Sequence, residues 1–309
     1  MNQKVLIVKL GFSETIDHQV SQENVSLGDI FRTTTILHLF KDDDVTWLTA
    51  EKGVPLLREN PYLKRILVYN LTTVLQLQKE YFDVLINLEK IPGICALTDS
   101  ITAWRRYGFR FDAQKGVAEA YEGAYEALAN SDDPKLRRRM KKNWIELLYE
   151  MIGTKWKGEG YLLGYKPKTR ESFDIGFNTE VGKKWKDKAW SHERWKQLEK
   201  IVGNRYTISH QQSLNNIYGY IDWINSCRLL VTNDSLGLHL AIALKKKVVA
   251  LFGPTSEKEI HLFNLGKALK PEKRLPCMPC FMGKCKYKKS CIDEIQPEVV
   301  FKHIQSLLK

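Results

Sequence analysis

The segment with the clearest chemical potential lies in the last third of the chain, where Val231–Thr255 reads VTNDSLGLHLAIALKKKVVALFGPT. A strand ends there in polar residues, and a helix begins near Leu236 and Gly237. The backbone N–H groups in the first turn of a helix have no partners within that helix, so they attract an anion. Gly237, which has no side chain, would let a ligand approach this backbone. The pattern predicts an anion-binding turn.

Three polar side chains surround this turn. Asp234 offers a carboxylate, Ser235 offers a hydroxyl, and His239 lies one turn into the helix. The same pattern fits an ordinary N-cap, because Asp and Ser before an apolar helix commonly accept hydrogen bonds from its first N–H groups. The residues alone leave ligand binding and capping open.

Four cysteines within fifteen residues form a second candidate site: Cys277, Cys280, Cys285 and Cys291. Their spacing is compatible with a tetrahedral site of four thiolates, for which zinc or iron is suitable. Four protein ligands leave no position open for substrate, so such a metal would be structural. Free thiols or a loop capable of forming a disulfide are the alternatives.

Parallel strands are predicted to position these residues in two successive α/β halves. In the first half, the strand-like runs are Lys4–Leu10, Val45–Thr49, Arg65–Tyr69 and Val84–Leu88, separated by helical or turn-rich stretches. A helix-rich stretch over about 115–152 and a Gly-, Lys- and Pro-rich linker over 153–172, with room for one strand, follow.

The strand and helix alternation begins again at Phe173. FDIGFN, Tyr206–Ser209, RLLVT and VVALF read as strands, Ser191 caps a helix, another helix covers about 214–226, and Pro297 begins the terminal helix. We therefore expect two Rossmann-like domains, 1–165 and 166–309, with a cleft between them and with the last helix able to pack back on the first domain. Ligands of such sheets bind beyond the carboxyl ends of the strands.

Composition limits the class of protein. The 309 residues are 43% hydrophobic and 27% charged, which excludes a disordered or collagen-like chain. The apolar runs are far shorter than the roughly 20 residues of a membrane span, and the first ten residues are too short an apolar run for a signal peptide. These features predict a soluble, cytoplasmic protein.

The charge favours an anionic partner. Lys and Arg number 48 against 36 Asp and Glu, a net charge of +12, and basic residues cluster at Lys135–Lys142 and Lys273–Lys289. Nucleic acid, a phospholipid surface and a phosphorylated small molecule are all compatible with such a balance, and so is an ordinary solvated basic face.

Several segments together resemble glycosyltransferase family 9, which includes the heptosyltransferases of lipopolysaccharide core synthesis. VTNDSLGLHLAIAL…FGPT resembles the family's T-N-D-S-G-x-x-H-L-A-x-A-L…F-G-P-T pattern. KVLIVKL with SLGDIFRTT resembles its first strand and S-x-G-D-x-x-x-T loop. IGFN…KAW…ERW and the cysteine segment with DEIQPEVV resemble its I-G-x-N-P-G…K-R-W…E-R-F and C-terminal patterns. These segments sample the chain from residue 4 to residue 300.

The resemblance implies a GT-B fold, in which an N-terminal domain binds the acceptor and a C-terminal domain binds a nucleotide-sugar. It implies inverting transfer, without a required cofactor or metal, from a nucleotide diphosphate donor, with ADP-heptose as the expected one. The acceptor would be a hydroxyl of a lipopolysaccharide core or related surface glycan, met at the inner face of the cytoplasmic membrane, where the basic clusters would contact anionic lipid. The alternatives are transfer to protein or another glycan, a catalytically silent sugar-nucleotide binder and, least favoured because it leaves the Asp234 segment unexplained, a nucleic-acid-binding protein.

In the first domain, the resemblance implies that Asp29 of the Ser26–Asp29 loop is the general base, for which an ordinary N-cap is the alternative. It also implies acceptor-binding roles for Lys9, Gly28 and Arg32. The chain departs from the family by an insertion over residues 11–25, and this insertion brings four competing base candidates: Glu14, Asp17, His18 and Glu23.

In the second domain, Lys188 would meet the donor diphosphate, although Lys183, Lys184 and Lys186 lie close enough in sequence to replace it. Asn178 would contact the phosphates or support the loop. The family's G-x-x-x-E glutamate, which holds the ribose, is absent here, and Gln211 or Gln212 is the expected replacement. The remaining expected donor contacts are a sugar-hydroxyl contact from Asp234, phosphate contacts from the backbone of Ser235, Leu236 and Gly237, and a contact from His239.

Overall fold

The computed structural model describes residues 2–12, 25–211, 216–273, 275–287 and 289–309, without the side chains of Lys183 and Lys184. The chain divides into two compact units, Met1–Tyr165 and Lys166–Lys309. Each unit is built around one mostly or wholly parallel β-sheet. No described helix combines the length and the apolar content that a membrane crossing needs.

The first unit contains a six-stranded sheet in the order β3-β2-β1-β4-β5-β6. The first five strands run parallel, and β6 pairs antiparallel with β5. β-Branched and apolar residues dominate the central strands because both sheet faces are covered. The strands are β1 (Lys4–Val8), β2 (Asp44–Thr49), β3 (Arg65–Val68), β4 (Tyr81–Asn87), β5 (Thr102–Asp112) and β6 (Val117–Ala120).

Seven helices belong to the described part of this unit. The first helix precedes a 3-10 segment over Thr34–Phe40, and a second 3-10 segment, Glu51–Gly53, precedes the next helix. The helices are α1 (Leu27–Thr33), α2 (Val54–Leu57), α3 (Leu71–Leu77), α4 (Pro92–Asp99), α5 (Tyr125–Asp132), α6 (Pro134–Arg139) and α7 (Trp144–Met151). Leu6, Val8 and Leu85 lie in a core cluster on one face of the sheet.

The prediction of a helix-rich stretch over 115–152 was wrong at its start. Residues 117–120 form β6, which is preceded by β5, a strand that the sequence analysis did not predict. The hairpin turn has a local cause, since the Asp112 carboxylate accepts the N–H groups of Gln114 and Lys115, and Gly116 takes a positive φ of 70°. From Tyr125 onward the stretch is helical. The linker over 153–172 contains neither helix nor strand.

The second unit contains a five-stranded parallel sheet in the order β11-β10-β9-β7-β8. Ile175, Val231 and Val249 on its central strands are fully buried in one apolar cluster. Its strands are β7 (Phe173–Asn178), β8 (Ile208–His210), β9 (Cys227–Asn233), β10 (Lys247–Leu251) and β11 (Gly266–Leu269). The short edge strand β11 was not predicted from sequence.

Four helices of this unit are described: α8 (His192–Val202), α9 (Ile217–Asn225), α10 (Leu236–Ala243) and α11 (Pro297–Leu308). Four 3-10 segments accompany them: Lys183–Lys188, Gly203–Arg205, Glu257–Glu259 and Cys291–Glu294. The terminal helix α11 packs against α8 and against β9, β10 and β11 of its own unit.

Candidate functional sites

Polar residues converge at the carboxyl ends of three adjacent strands in the second unit. β7 ends at Asn178, β9 ends at Asn233, and Thr255 lies four residues after the end of β10. Because these strands are parallel neighbours, their carboxyl ends lie at one edge of the sheet, where such sheets bind ligands. The predicted polar turn therefore lies at the expected edge.

Lys188 and Asp234 form an ion pair at this edge. Lys188 Nζ lies 2.7 Å from Asp234 Oδ2, the two side chains are only 17% and 12% exposed, and Thr255 Oγ1 donates to the same oxygen at 2.8 Å. Burial acts to raise the pKa of Asp234, but Lys188 together with Thr255 outweighs it and holds that pKa at about 2. The carboxylate is therefore charged at neutral pH, and its two bonds described here use Oδ2 alone.

The Lys188 ammonium also lies 5.1 Å from the centre of the Trp185 ring, within cation–π range. Lys188 and Trp185 belong to the same 3-10 segment, Lys183–Lys188. A fixed ammonium beside the first turn of α10 offers hydrogen-bond donors of the kind that bind a diphosphate, and Asp234 balances its charge.

Asn178 has a supporting position. Its side chain is 0% exposed, and its amide donates to Thr232 Oγ1 at 2.7 Å and to Ser235 Oγ at 3.0 Å. Its carbonyl accepts the Tyr220 hydroxyl at 2.6 Å. Of the two predicted roles, the structure favours support of the loop, because an amide buried in this way cannot reach a phosphate.

Gly237 is needed for internal packing. A Cβ at this position would lie 2.4 Å from the Tyr220 hydroxyl and 2.5 Å from Asn178 Nδ2, closer than van der Waals contact permits. Internal packing therefore requires glycine at this position, and the approach of a ligand to the Gly237 backbone stays a prediction. Ser235 is the N-cap residue of α10, but its side chain makes no capping hydrogen bond, so Leu236 and Gly237 keep the first-turn N–H groups of the predicted anion site.

Gln211 and His239 are close to this edge but largely engaged or buried. Gln211 Oε1 accepts the N–H of Glu180 at 2.7 Å, so the expected ribose ligand is holding the loop after β7. His239 is a buried residue of α10 that lies near enough to Asp234 to help lower the pKa of that carboxyl. Gln212 lies outside the described residues.

In the first unit, Asp29 lies in the first turn of α1 together with Gly28. The Asp29 carboxylate accepts from Arg32 at 2.6 Å, and the Arg32 guanidinium stacks 5.1 Å from the Trp144 ring. The structure thus joins the predicted base with one predicted acceptor residue. The competing candidates Glu14, Asp17, His18 and Glu23 lie outside the described residues.

Glu89 is a buried carboxylate that sequence reasoning missed. It follows β4 by two residues and pairs with the third predicted acceptor residue, Lys9, at 3.3 Å, with side chains 2% and 8% exposed. Burial is the main cause that raises the pKa of Glu89, and Lys9 opposes it. Glu89 directly follows the predicted strand Val84–Leu88, and this position could have identified it as a candidate site residue.

Lys9, Arg32 and Glu89 border a pocket of the first unit. It combines charged side chains with an aromatic and aliphatic wall, the composition typical of small-molecule sites. Residues that line it include Lys9, Arg32, Glu89, Lys90, Ser131 and Trp144.

The four cysteines approach one another without forming a ligand cluster. Burial raises the pKa of Cys291 to about 11, and the neighbouring thiols Cys277, Cys280 and Cys285 add to the rise. Within the described ranges, however, no three or more His, Cys, Asp or Glu side chains are placed to hold one ion. The thiol chemistry suits zinc or iron, and the four thiols would have to be drawn closer together than they are here to hold one ion.

Comparison with known proteins matches part of the second unit to a known family. Residues 215–291 match the model of glycosyltransferase family 9 (heptosyltransferase). A lipooligosaccharide heptosyltransferase 2 of Campylobacter jejuni is 37% identical over 84 residues, which are 27% of this chain and 26% of that relative. The matched stretch thus spans about a quarter of the relative's length.

Solved structures extend the likeness in fold to the whole chain. A family 9 glycosyl transferase from Veillonella parvula has a TM-score of 0.66 at 18% identity, covering 100% of this chain and 98% of that one. The E. coli ADP-heptose LPS heptosyltransferase II has a TM-score of 0.66 at 13% identity, covering 99% and 98%. The iron-containing dodecameric glycosyltransferase TibC from enterotoxigenic E. coli has a TM-score of 0.60 at 9% identity, covering 99% and 76%.

The expected GT-B class, with two α/β units built on parallel sheets, is confirmed by these structures. The comparisons also confirm the resemblance of this chain to glycosyltransferase family 9, over residues 215–291 in sequence and over both units in fold.

Proposed function

We propose that this chain is an inverting glycosyltransferase that transfers heptose from ADP-heptose to a hydroxyl of a lipopolysaccharide core or related surface glycan. The observation that carries the proposal is the polar edge of the second unit, where Lys188, Asp234 and Thr255 meet beside α10. Part of this edge lies within the segment that matches the family, and the E. coli structure of the same fold is an ADP-heptose transferase.

Each unit would have its own task. In the second unit, Lys188 and the first-turn N–H groups of Leu236 and Gly237 stabilise the leaving diphosphate, while Asp234 Oδ1 accepts a sugar hydroxyl. In the first unit, the acceptor occupies the pocket near Lys9 and Arg32, and Asp29 takes the proton from the attacking hydroxyl. The hydroxyl oxygen bonds to the anomeric carbon as the bond to the diphosphate breaks, which inverts that carbon.

This chemistry requires no metal, because Lys188 and the helix N-terminus supply the positive charge. A zinc or iron ion at Cys277, Cys280, Cys285 and Cys291 would be structural. The partners are a nucleotide-diphosphate sugar and a glycan or lipid-linked acceptor, with peripheral contact to an anionic membrane and no role for nucleic acid. The enzyme would work in the cytoplasm or at the inner face of the cytoplasmic membrane.

A variant of this function has a different acceptor. The insertion over residues 11–25 and the four-cysteine segment are also compatible with a transferase that uses protein or another surface glycan as acceptor. The donor chemistry is the same in both cases. The acceptor assay therefore includes both a truncated core glycan and a surface protein.

The test begins with thermal unfolding of the purified protein in ADP, UDP, GDP or CDP, each with and without EDTA. A ligand at 100 times its Kd adds about 2.7 kcal/mol of stability, which is readily measured. Selective stabilisation by ADP, unchanged by EDTA, is expected, followed by transfer from ADP-heptose that Asp29→Asn lowers by about 10²- to 10⁴-fold. Stabilisation without transfer to any acceptor would indicate a silent binder, and absence of stabilisation by every nucleotide would contradict the proposal.

A further inference from the structure

Hydrogen bonds link the buried Glu89 carboxylate to the backbone next to the Ser26–Asp29 loop. Glu89 Oε1 accepts the backbone N–H of Leu10 at 2.8 Å and that of Gly11 at 2.9 Å. The same oxygen faces Lys9 Nζ at 3.3 Å. One oxygen thus fixes three consecutive residues that follow β1.

Gly11 in turn contacts the start of the Ser26–Asp29 loop. Its carbonyl accepts the N–H of Ser26 at 2.7 Å, and the Ser26 carbonyl accepts the N–H of Asp29 at 3.2 Å. Gly11 has a φ of 76°, and a Cβ there would lie 2.9 Å from the Ser26 carbonyl and 2.8 Å from Ile30 Cδ1. The backbone therefore passes tightly from Glu89 through Gly11 to the first turn of α1.

Glu89 is itself held in place. Its N–H donates to Asn87 Oδ1 at 3.0 Å, and the Asn87 amide donates to the Phe109 carbonyl at 2.9 Å on the neighbouring strand β5. The carboxylate is thus anchored to the centre of the sheet, a rigid support of the kind that precise catalytic geometry requires.

We propose that Glu89 is a positioning residue that sets the place of Asp29 through Gly11 and Ser26 and fixes the Lys9 ammonium at the pocket wall. This inference rests on the proposed function, since it assigns Glu89 to the same transfer reaction. Glu89 acts through Asp29 and takes no proton from the acceptor. The donor site in the second unit is independent of it.

The variants Glu89→Ala, Glu89→Gln and Asp29→Asn, with the double variant Glu89→Ala/Asp29→Asn, test the inference. Glu89→Ala removes every contact and is expected to lower kcat by about 10²-fold, the effect of a misplacement near 1 Å, without changing the KM for donor. Glu89→Gln keeps an oxygen for the two N–H groups and should recover most of the rate. Glu80→Ala, at the opposite end of β4, is the matched control and should keep full kcat.

The double variant separates positioning from general stability. If Glu89 acts through Asp29, its loss costs nothing further once Asp29 is replaced, so the double variant turns over as slowly as Asp29→Asn alone. The inference would be overturned if the kcat losses of the two single variants multiplied in the double variant. It would also be overturned if Glu89→Ala had the kcat of the wild type. Glu89→Gln as inactive as Asp29→Asn would also overturn it, by indicating that Glu89 is the base.

The same variants separate a failure of the Asp29 assignment from a failure of the Glu89 role, and a further variant covers the case in which Glu89→Ala does not fold. Full activity of Asp29→Asn would refute the assignment of the base and with it a role of Glu89 through Asp29, whereas an inactive Asp29→Asn beside a fully active Glu89→Ala refutes the positioning role alone. If Glu89→Ala does not fold, as circular dichroism would reveal, Glu89→Asp replaces it. That variant keeps the charge but withdraws it by one methylene, and kcat is expected to fall while Glu89→Gln remains active.

Discussion

Lys188 and Asp234 act as a pair, and this changes what each can do for a donor. With Asp234 at 2.7 Å, the Lys188 ammonium is held in one place before any ligand arrives. Because the pKa of Asp234 is held at about 2, below its value in the unfolded chain, the ion pair stabilises the fold above pH 4 and loses this effect as the pH falls toward 2. Donor binding should therefore show no titration of Asp234 between pH 5 and 9.

The first prediction concerns Lys188, the cation proposed to meet the diphosphate. Lys188→Ala is expected to weaken ADP binding about 10- to 100-fold, because a charge-assisted hydrogen bond contributes roughly 1.5–3 kcal/mol. Isothermal titration calorimetry measures the Kd. Lys186→Ala is the matched control, since Lys186 is exposed in the same 3-10 segment and should leave the Kd unchanged. A larger effect from Lys186 than from Lys188 would transfer the role to that residue.

The sequence could name candidate site residues where a family motif contained them. It could not predict which side chains contact one another. Asp234 and Lys188 follow from the sequence because their segments resemble known ones, but their ion pair joins positions 46 residues apart. Tyr220, Thr255 and Glu89 act through contacts that depend on strand order. No local pattern reports which loops meet across parallel strands, so these partners required the structure.

At the scale of elements, the close approach of α10 to the end of β7 positions the turn that is proposed to bind the donor. Gly237 of α10 and Asn178 of β7 leave no room for a methyl group between them. This packing holds the first turn of α10 at the sheet edge. The contact between α10 and β7 therefore fixes the geometry of the proposed anion site.

The second prediction tests that contact. Gly237→Ala should destabilise the protein by about 1–3 kcal/mol, the usual cost of overpacking, despite the better helix propensity of alanine. Urea unfolding measures the change. Gly182→Ala, whose Cβ would meet nothing within 4 Å, should unfold at the wild-type urea concentration or slightly above it. Equal stability of Gly237→Ala and wild type would mean that α10 can shift freely.

The third prediction concerns the cysteine segment, which contacts the Lys188 segment. The Asp187 carboxylate accepts the N–H of Cys285, and the Asp187 carbonyl accepts the Ser290 hydroxyl at 3.0 Å. A metal that draws the four thiols together would therefore also brace Lys188. Elemental analysis of protein purified without chelator should find about one zinc or iron per chain.

The matched controls use cysteines inside and outside this segment. Cys277→Ser/Cys280→Ser should lose the metal and bind ADP more weakly, whereas Cys95→Ser, in the first unit, should keep both. Wild-type protein without metal would refute the metal site and leave the proposed transfer chemistry intact.

Secondary-structure prediction succeeded for most strands, including the short edge strands β3 and β8, and failed for β5, β6 and β11. β1, β4, β7 and β9 are buried over most of their length and contain apolar runs. β6 and β11 have four residues each, with Ala and Glu or Gly and Lys, and their pairing with a longer neighbour determines their structure. Pairing with a neighbouring strand, and not the β propensity of their own residues, therefore makes β6 and β11 strands.

At the scale of the whole molecule, the charge of +12 is unevenly distributed. In Lys135–Lys142, the Lys142 ammonium is held between Glu126 and Glu150 at 2.6 and 2.8 Å. In contrast, Lys273–Lys289 contains six basic residues and no Asp or Glu. Met282 and Tyr287 are 58% and 53% exposed among these lysines, as in a surface that meets lipid headgroups and acyl chains.

The last prediction follows from this distribution. The protein should sediment with vesicles that contain about 30% phosphatidylglycerol and much less with phosphatidylcholine alone, because each lysine near an anionic surface contributes about 1 kcal/mol. Lys284→Glu/Lys286→Glu should abolish most of this binding. Lys196→Glu/Lys200→Glu, which changes two exposed lysines of α8 and the same total charge, should reduce it only slightly. Equal losses would mean that net charge alone drives association, and binding that persists at 0.5 M salt would contradict an electrostatic contact, since the Debye length is then about 4 Å.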